Sequence, residues 1–284
     1  MAKLRRNHTH QAGIAVIIVR VVVFASVLIL LAVSFKRIKS ADPALLPSDL
    51  NDDRPFYYPE VSEGCALLEH THFALCYSER YEQARWVAYV LNRERVRGAR
   101  TRWGRRFVKD ANVRSGSADW SDYERSGYVA APLAATADMA FDGIADRETY
   151  LMSNISPQKK AFHTGIWHTL EEQSREWAVA YKKLYVVTGP VLQGVDKTIG
   201  KNKVGVPKAF FKILLDLSDP AHKGIAFILP NRASNAPLEQ YAISIDSAEQ
   251  RLGIDFFPHL MTEETEHRIE AECDIHAWNF PQKH

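Results

Sequence analysis

A long apolar run near the N terminus is the strongest hydrophobic pattern in the chain. Residues 12–35 (AGIAVIIVRVVVFASVLILLAVSF) contain a single charge, Arg20, and a membrane-spanning helix requires about 20 predominantly apolar residues. Basic residues flank the run, and no clear small-residue cleavage site follows it. The pattern therefore favours an uncleaved transmembrane anchor over a cleaved signal peptide.

Changes in composition divide the remainder of the chain. A basic tail (1–11) precedes the anchor, and a segment rich in Pro, Asp and Ser (36–62) predicts an extended linker. Residues 63–262 are expected to form one globular domain, and residues 263–284 a C-terminal tail.

Within the globular region, short β-rich runs and one amphipathic helix predict an α+β fold. A helix is expected after Thr164, whose side chain would serve as its N-cap. Strands are expected within 70–78, 80–92, 183–191, 209–217 and 224–231. Because helices and strands do not alternate regularly, the pattern favours α+β over a doubly wound sheet.

The charges of the chain are unevenly placed. Seven of the 36 basic residues precede the first acidic one, Asp42, so 29 basic residues face 34 acidic residues in the remainder, a net charge of −5. Proteins that bind nucleic acid without sequence preference are usually basic, because they gain affinity by neutralising phosphates. The soluble part does not fit that description.

One short region is nonetheless basic. Arg102, Arg105 and Arg106 lie in the run 92–114 (NRERVRGARTRWGRRFVKDANVR). A charge run of this kind most often forms a solvated face, and binding of nucleic acid or another anionic partner is the alternative.

The three cysteines cannot all pair within one chain. Cys65, Cys76 and Cys273 are expected to be buried or free thiols. A Cys65–Cys76 disulfide remains open for a domain outside the cytoplasm.

Several segments in a fixed order resemble the DNA/RNA non-specific endonuclease family, the Serratia-type nucleases. They include HFALCYSERYEQARWVAYVLN, DYERSGY, LAATADM, YLMSNISPQKKAFHTGIWHTLEEQSREWA, VVTGPVL and VPKAFFKILLD, within about residues 66 to 260. The resemblance implies the ββα-metal fold, with a mixed β-sheet core and flanking helices. It also implies phosphodiester hydrolysis, in which a histidine of an Asp-Arg-Gly-His motif acts as general base.

The base motif itself is replaced. The flanks Ser-Gly-Tyr and Leu-Ala-x-x-Ala-Asp-Met match without a gap, which places Val129, Ala130, Ala131 and Pro132 at the Asp-Arg-Gly-His positions. Proline cannot accept a proton and has no backbone N–H. The resemblance therefore predicts an endonuclease-like fold without its general base.

The metal position is altered as well. In the family an asparagine holds one hydrated Mg²⁺ and a later glutamate supports its water shell; here His163 stands at the asparagine, and Glu171 is retained. Imidazole favours softer ions than Mg²⁺. No cofactor is expected, and Mg²⁺ or another divalent metal is implied only for an active enzyme. A site rebuilt from His163, His168 and Glu171 is disfavoured because positions i and i+5 do not share a helix face.

Together these patterns predict a membrane-anchored, catalytically inactive protein that serves as a binding or scaffold subunit. Its expected partners are membrane lipid, through 12–35, and other proteins of a membrane-associated complex, with the domain outside the cytoplasm. One alternative is an active metal-dependent endonuclease that uses His163 and Glu171. The other is a nucleic-acid binder that does not cleave.

Overall fold

A computed structural model describes residues 57–61, 63–98, 100–101, 104, 106–218 and 222–280. The core of this part is a seven-stranded sheet. Its strands are β1 (Ala66–Glu69), β2 (Phe73–Ser78), β3 (Gln83–Asn92), β6 (Lys183–Pro190), β9 (Ala209–Asp216), β10 (Lys223–Pro230) and β11 (Ala242–Ile243), and they lie side by side in this same order. The α+β class and the five predicted strands are thus confirmed, with ends that shift by a few residues.

The strand directions differ from the expected mixed sheet. Every strand pairing in the described part of this sheet is antiparallel. For sequential neighbours such as β1 and β2 or β9 and β10, the physical reason is the short connection, since parallel neighbours need a long crossover. The prediction of a mixed sheet was therefore wrong in strand direction.

Two small ribbons complete the described strands. β4 (Val129–Pro132) pairs antiparallel with β5 (Ile155–Gln158), and β7 (Thr198–Ile199) pairs with β8 (Val204–Gly205). The β4–β5 ribbon carries the altered motif and therefore positions the candidate site.

The described helices are mostly short. They are α1 (Arg93–Arg97), α2 (Trp120–Tyr123), α3 (Thr136–Met139), α4 (Gly143–Glu148), α5 (Lys160–His163), α6 (Ile166–Tyr181), α7 (Ile245–Leu252) and α8 (Glu263–Glu270). Only α6 is long, and it buries Ile166, Trp167, Leu170 and Trp177 against one face of the sheet. This face contains Phe210 and Phe227, which contact Trp167 and Trp177.

The opposite face of the sheet packs against α7 and α8. Gly224 of β10 leaves room for them, because a Cβ atom there would meet Ile245 of α7, with Ile269 of α8 close by. Helices therefore cover both faces of the central strands, which is why those strands are buried along nearly their whole length.

The start of α6 differs from the prediction. Its N-cap is Gly165, not Thr164, and His163 belongs to the separate helix α5. A Cβ atom at Gly165 would approach the Ala161 carbonyl oxygen to 2.5 Å, which no side chain tolerates. Glycine thus permits a break between α5 and α6 that changes the direction of the chain.

Both ends of the described chain pack onto the domain. Tyr58 is buried and its ring contacts Trp86 at a centroid distance of 6.1 Å, although the sequence placed it in the linker. Trp278, placed in the C-terminal tail, is fully buried and contacts Trp177 edge to face at 4.9 Å. Residues 57–61 and 263–280 are therefore part of the folded unit.

The three cysteines form one disulfide and leave one free thiol. Cys65 and Cys76 form a disulfide that joins the start of β1 to β2, and Cys273 is a half-buried free thiol. The prediction that all three are thiols was wrong for the first two.

The anchor prediction concerns residues 12–35, which lie outside the described residues. Across the ranges that the structure does describe, none of the helices has both the length and the apolar character needed to span a bilayer.

Candidate functional site

An open cleft of about 760 Å³ lies where the β4–β5 ribbon meets the start of α6. The altered motif forms one side of it through Val129, Ala130 and Pro132. The opposite side includes His163, His168, Glu171 and Arg175. The structure therefore brings together the motif and the two candidate metal residues that the sequence separated by more than thirty positions.

The motif strand is held by its neighbour and contributes no polar side chain. Val129 lies opposite Gln158 and Ala131 opposite Ser156, and Ala130 and Ala131 are buried. Valine, alanine and proline carry no side-chain atom that accepts a proton or donates to a phosphate. This wall of the cleft can therefore bind a ligand through apolar contact but cannot perform acid–base chemistry.

His163 is oriented by a hydrogen bond at the bottom of the cleft. Its Nδ1 lies 2.9 Å from Oε1 of Gln158, so Nδ1 is the donor and Nε2 keeps its lone pair. Burial, together with the nearby His168, lowers the pKa of His163. The imidazole is therefore neutral near pH 7.

His168 does not complete a metal site with His163. It lies one helix further along the chain, is about half exposed, and has Nε2 3.3 Å from Oε1 of Glu172. The argument that positions i and i+5 do not share a helix face does not apply to these histidines, because the break at Gly165 puts them in different helices. Both line the same cleft. Even so, the described residues that do converge as three possible metal ligands are Asp246, Glu249 and Glu270, which do not line this cleft.

The donor set also does not suit the hydrated Mg²⁺ that the family resemblance implies. An imidazole nitrogen replaces the amide oxygen at the metal position, and Mg²⁺ requires oxygen ligands in near-octahedral geometry. The residues present therefore do not fit that ion.

Glu171 belongs to a buried network of charges beneath the cleft. Arg175 Nη1 donates to Asp138 Oδ1 at 2.9 Å, and the Tyr89 hydroxyl donates to Asp138 Oδ2 at 2.7 Å. Lys212 of β9 is fully buried, and its Nζ lies 3.4 Å from the Tyr89 hydroxyl. Two carboxylates and two cations are thus enclosed together.

Burial dominates the protonation of Glu171. It raises the pKa of Glu171 from 4.5 to about 7; Lys212 and Arg175 oppose the rise, whereas Asp138 adds to it. Trp167, one helical turn away, lies near the carboxyl, but its indole N–H completes no hydrogen bond of good geometry with a described residue. Burial therefore outweighs the two nearby cations in setting the pKa of Glu171.

An aromatic wall forms the outer part of the cleft, and the sequence analysis did not identify it. Trp120 is 43% exposed and stacks on Phe107 with a centroid distance of 4.9 Å and an interplanar angle of 6°. Tyr150 meets the other side of Phe107 edge to face, and Tyr128 also lines the cleft. Trp120 precedes the Asp-Tyr-Glu-Arg-Ser-Gly-Tyr flank by two residues, the one available sign that it lies near the motif.

The structure describes one of the three predicted arginines of the basic run. Arg106 is exposed, whereas Arg102 and Arg105 lie outside the described residues. Arg100 lines the cleft, although the sequence analysis did not select it. The basic run therefore does reach the cleft, through Arg100.

Asn154 secures the segment that follows the motif strand. Its Oδ1 accepts the Ala134 N–H at 2.9 Å, and its Nδ2 donates to the Thr149 carbonyl at 2.9 Å. It is fully buried, so its role is structural.

Known proteins with similar sequences are nucleases. The sequence model described as DNA/RNA non-specific endonuclease matches residues 53–263. Mitochondrial endonuclease G of Homo sapiens is 32% identical over 209 residues, covering 69% of this chain and 70% of the relative. A nuclease of Nostoc sp. is 30% identical over 230 residues, covering 73% of this chain and 78% of the relative.

A solved structure supports the same likeness. A chain from the crystal structure of the EndoG/EndoGI complex, which concerns EndoG inhibition, matches with a TM-score of 0.66 and 26% identity. The match covers 72% of this chain and 89% of the solved one.

The raised pKa of Glu171 predicts a specific pH dependence of stability. Between pH 4.5 and about 7, Glu171 is ionised in the unfolded chain but protonated in the folded one, so it makes the free energy of unfolding fall as pH rises. Replacement Glu171→Gln removes this contribution. We expect the difference in unfolding free energy, Gln variant minus wild type, to increase with pH across that window in urea titrations.

The matched control is Glu176→Gln, on the exposed side of α6. It should leave the slope of stability against pH unchanged. Parallel curves for the Glu171→Gln variant and the wild type would contradict the assignment.

Proposed function

Because the chain belongs to the DNA/RNA non-specific endonuclease family but has lost its proton-accepting motif, we propose that it is a non-cleaving member that acts as a binding or scaffold subunit at a membrane. The observation that carries the proposal is the motif strand, whose Val129, Ala130 and Pro132 face the cleft without an acid–base group. A nuclease needs a group that removes a proton from the attacking water.

The remaining polar groups of the cleft support this proposal. Arg175 is committed to Asp138, and His168 is paired with Glu172 at the surface. Glu171 carries its charge only as pH rises above about 7. A phosphate in the cleft would therefore meet few unpaired cationic side chains on the inner wall. The side chains there also do not suit Mg²⁺.

A protein partner is consistent with what is known of the fold. The solved relative is a complex of EndoG with EndoGI, so this fold can engage another protein. The net charge of −5 beyond the N-terminal 41 residues also favours a protein partner over a phosphate backbone. Some relatives are named as mitochondrial nucleases, and those names do not identify the organelle of this chain. We place the domain on the non-cytoplasmic side of its membrane.

A second candidate function is an active metal-dependent endonuclease with a reorganised centre. His163 is the observation that favours it: the ring is oriented by Gln158, is neutral near pH 7, and keeps Nε2 free. Glu171, with a pKa of about 7, lines the same cleft. Neutral imidazole could bind a softer ion such as Zn²⁺.

A restored motif tests the loss of catalysis directly. We expect the full chain to leave plasmid DNA and RNA intact with Mg²⁺, Mn²⁺ or Zn²⁺. The variant Val129→Asp, Ala130→Arg, Ala131→Gly, Pro132→His, combined with His163→Asn, should gain Mg²⁺-dependent cleavage, because the surrounding family fold is retained. A gel assay of plasmid nicking measures the gain.

The matched control keeps the other restored residues but replaces the motif proline by alanine instead of histidine, through Pro132→Ala, and should remain inactive. Cleavage by the wild-type chain that disappears in His163→Ala and Glu171→Gln would contradict the proposal and establish the reorganised enzyme.

Membrane attachment is tested by fractionation. We expect the full chain to sediment with membranes, to resist extraction by 1 M salt, and to be released by mild detergent with stoichiometric partners. The physical reason is the apolar run 12–35, whose insertion does not depend on charge. A chain recovered in the high-salt supernatant would contradict attachment by this segment.

Nucleic-acid binding without cleavage is the other alternative, and the aromatic wall favours it. Exposed Trp120, stacked on Phe107, is a surface on which a nucleobase can stack. If this alternative holds, binding of a fluorescent single-stranded oligonucleotide at 50 mM salt weakens about 10-fold or more in Trp120→Ala. The triple variant Arg102→Ala, Arg105→Ala, Arg106→Ala should reduce the salt dependence of binding.

The control for this measurement is Ile144→Ala, which removes another exposed apolar side chain that does not line the cleft. Absence of oligonucleotide binding at low salt would eliminate the alternative and leave the protein-scaffold proposal.

A further inference from the structure

Three carboxyl groups converge between α7 and α8, away from the cleft. They belong to Asp246 and Glu249 of α7 and to Glu270 at the end of α8, and one oxygen of each lies within 4.8 Å of the others. Asp246 and Glu249 are three residues apart and therefore project from the same side of α7. The cluster lies on the face of the sheet opposite Lys212, since α7 and α8 pack over Gly224.

Glu270 is the member that needs a partner. Only 2% of the residue is exposed, and its Oε1 has no hydrogen-bond partner among the described residues. A buried carboxyl oxygen without a donor is destabilising, and more so if it is charged. The unpartnered oxygen belongs to the side chain that meets Asp246 and Glu249.

The surroundings of the cluster add negative charge and little positive charge. Glu266 and Asp255 also lie near Glu270, in addition to the clustered Asp246 and Glu249. Within the described part of the chain, no lysine or arginine forms an ion pair with any of the three clustered carboxylates.

We propose that Asp246, Glu249 and Glu270 form a Ca²⁺ site that joins α7 to α8. The ligands are all oxygens, the donors that Ca²⁺ prefers. Three carboxylate oxygens within 4.8 Å of one another can share one ion at Ca–O distances of about 2.3–2.6 Å. Ca²⁺ tolerates an irregular set of ligands, whereas Mg²⁺ demands near-ideal octahedral geometry. Asp246 and Glu249 are partly exposed, which leaves a path for the ion and for water ligands.

Glu249 also connects the site to the following loop. One of its oxygens accepts the Phe256 N–H at 2.8 Å, which fixes the carboxylate while the second oxygen remains available. Phe256 in turn contacts Phe211 of β9. Ca²⁺ at this position would therefore neutralise the cluster and hold the helix–loop–helix segment against the sheet.

Calcium-dependent stability of the full chain in detergent tests the site. After chelator treatment and dialysis, Ca²⁺ should raise Tm in a saturable manner, by about 5–10 °C at a 100-fold excess over its Kd. Isothermal titration should give one Ca²⁺ per chain, and Mg²⁺ at the same concentration should give a smaller shift.

Variants locate the ion. Glu270→Gln should raise the Tm of the calcium-free protein, because it removes a carboxyl group whose ionisation is unfavourable when buried, and should abolish the Ca²⁺ response. Asp246→Asn, at a partly exposed position, should weaken Ca²⁺ binding at least 10-fold and serves as a second variant if the first does not fold. The control is Glu264→Gln, an exposed position on α8, which should respond to Ca²⁺ as the wild type does.

The response must also be independent of the cleft. The double variant His163→Ala, Glu171→Gln should keep it, so the outcome is distinct from that of the cleavage experiments. The proposal is overturned if Ca²⁺ leaves Tm unchanged, or if Glu270→Gln and Asp246→Asn respond as the wild type does.

Discussion

Two buried cations beneath the cleft, Arg175 and Lys212, have to be neutralised, and the arrangement around them follows from this requirement. Arg175 comes from α6 and Lys212 from the central strand β9, whereas Asp138 comes from α3, immediately after the motif strand. Removing one partner of a buried charge network typically costs about 3–5 kcal/mol. The network therefore fixes the helix that carries Glu171 against the sheet and the motif strand above it.

This dependence explains how the motif can change while the fold is retained. The side chains of Val129, Ala130 and Pro132 lie on the cleft wall and take no part in the charge network. Asn154 holds the segment after the motif through backbone groups, whatever side chains the motif carries. The side chains at the motif positions can therefore differ without changing the charge network, in contrast to a change at Asp138 or Lys212.

Much of the fold could be predicted from local sequence, and the failures have physical causes. The β-rich runs and α6 follow from apolar patterns that are visible within ten to sixteen residues. The strand directions depend on connections that the runs do not encode, and the N-cap of α6 moved to Gly165 because only glycine fits beside the Ala161 carbonyl. Trp278 was placed in a tail because its partner, Trp177, is a hundred positions away.

The site was predictable to the extent that its members lie in the matched segments. His163, Glu171 and the motif positions do meet in one cleft, as the family resemblance implies. The aromatic wall and the partners of Glu171 were not predicted. Lys212 and Asp138 do lie in matched segments, but which side chains meet Glu171 depends on the tertiary fold. The two faces of the sheet then differ in one respect. On the cleft side each buried charge has an opposite charge within the chain, and so the network is complete as folded. On the α7–α8 side no lysine or arginine of the described residues pairs with the three carboxylates, and their neutralisation has to come from protons or from an ion supplied by the solvent.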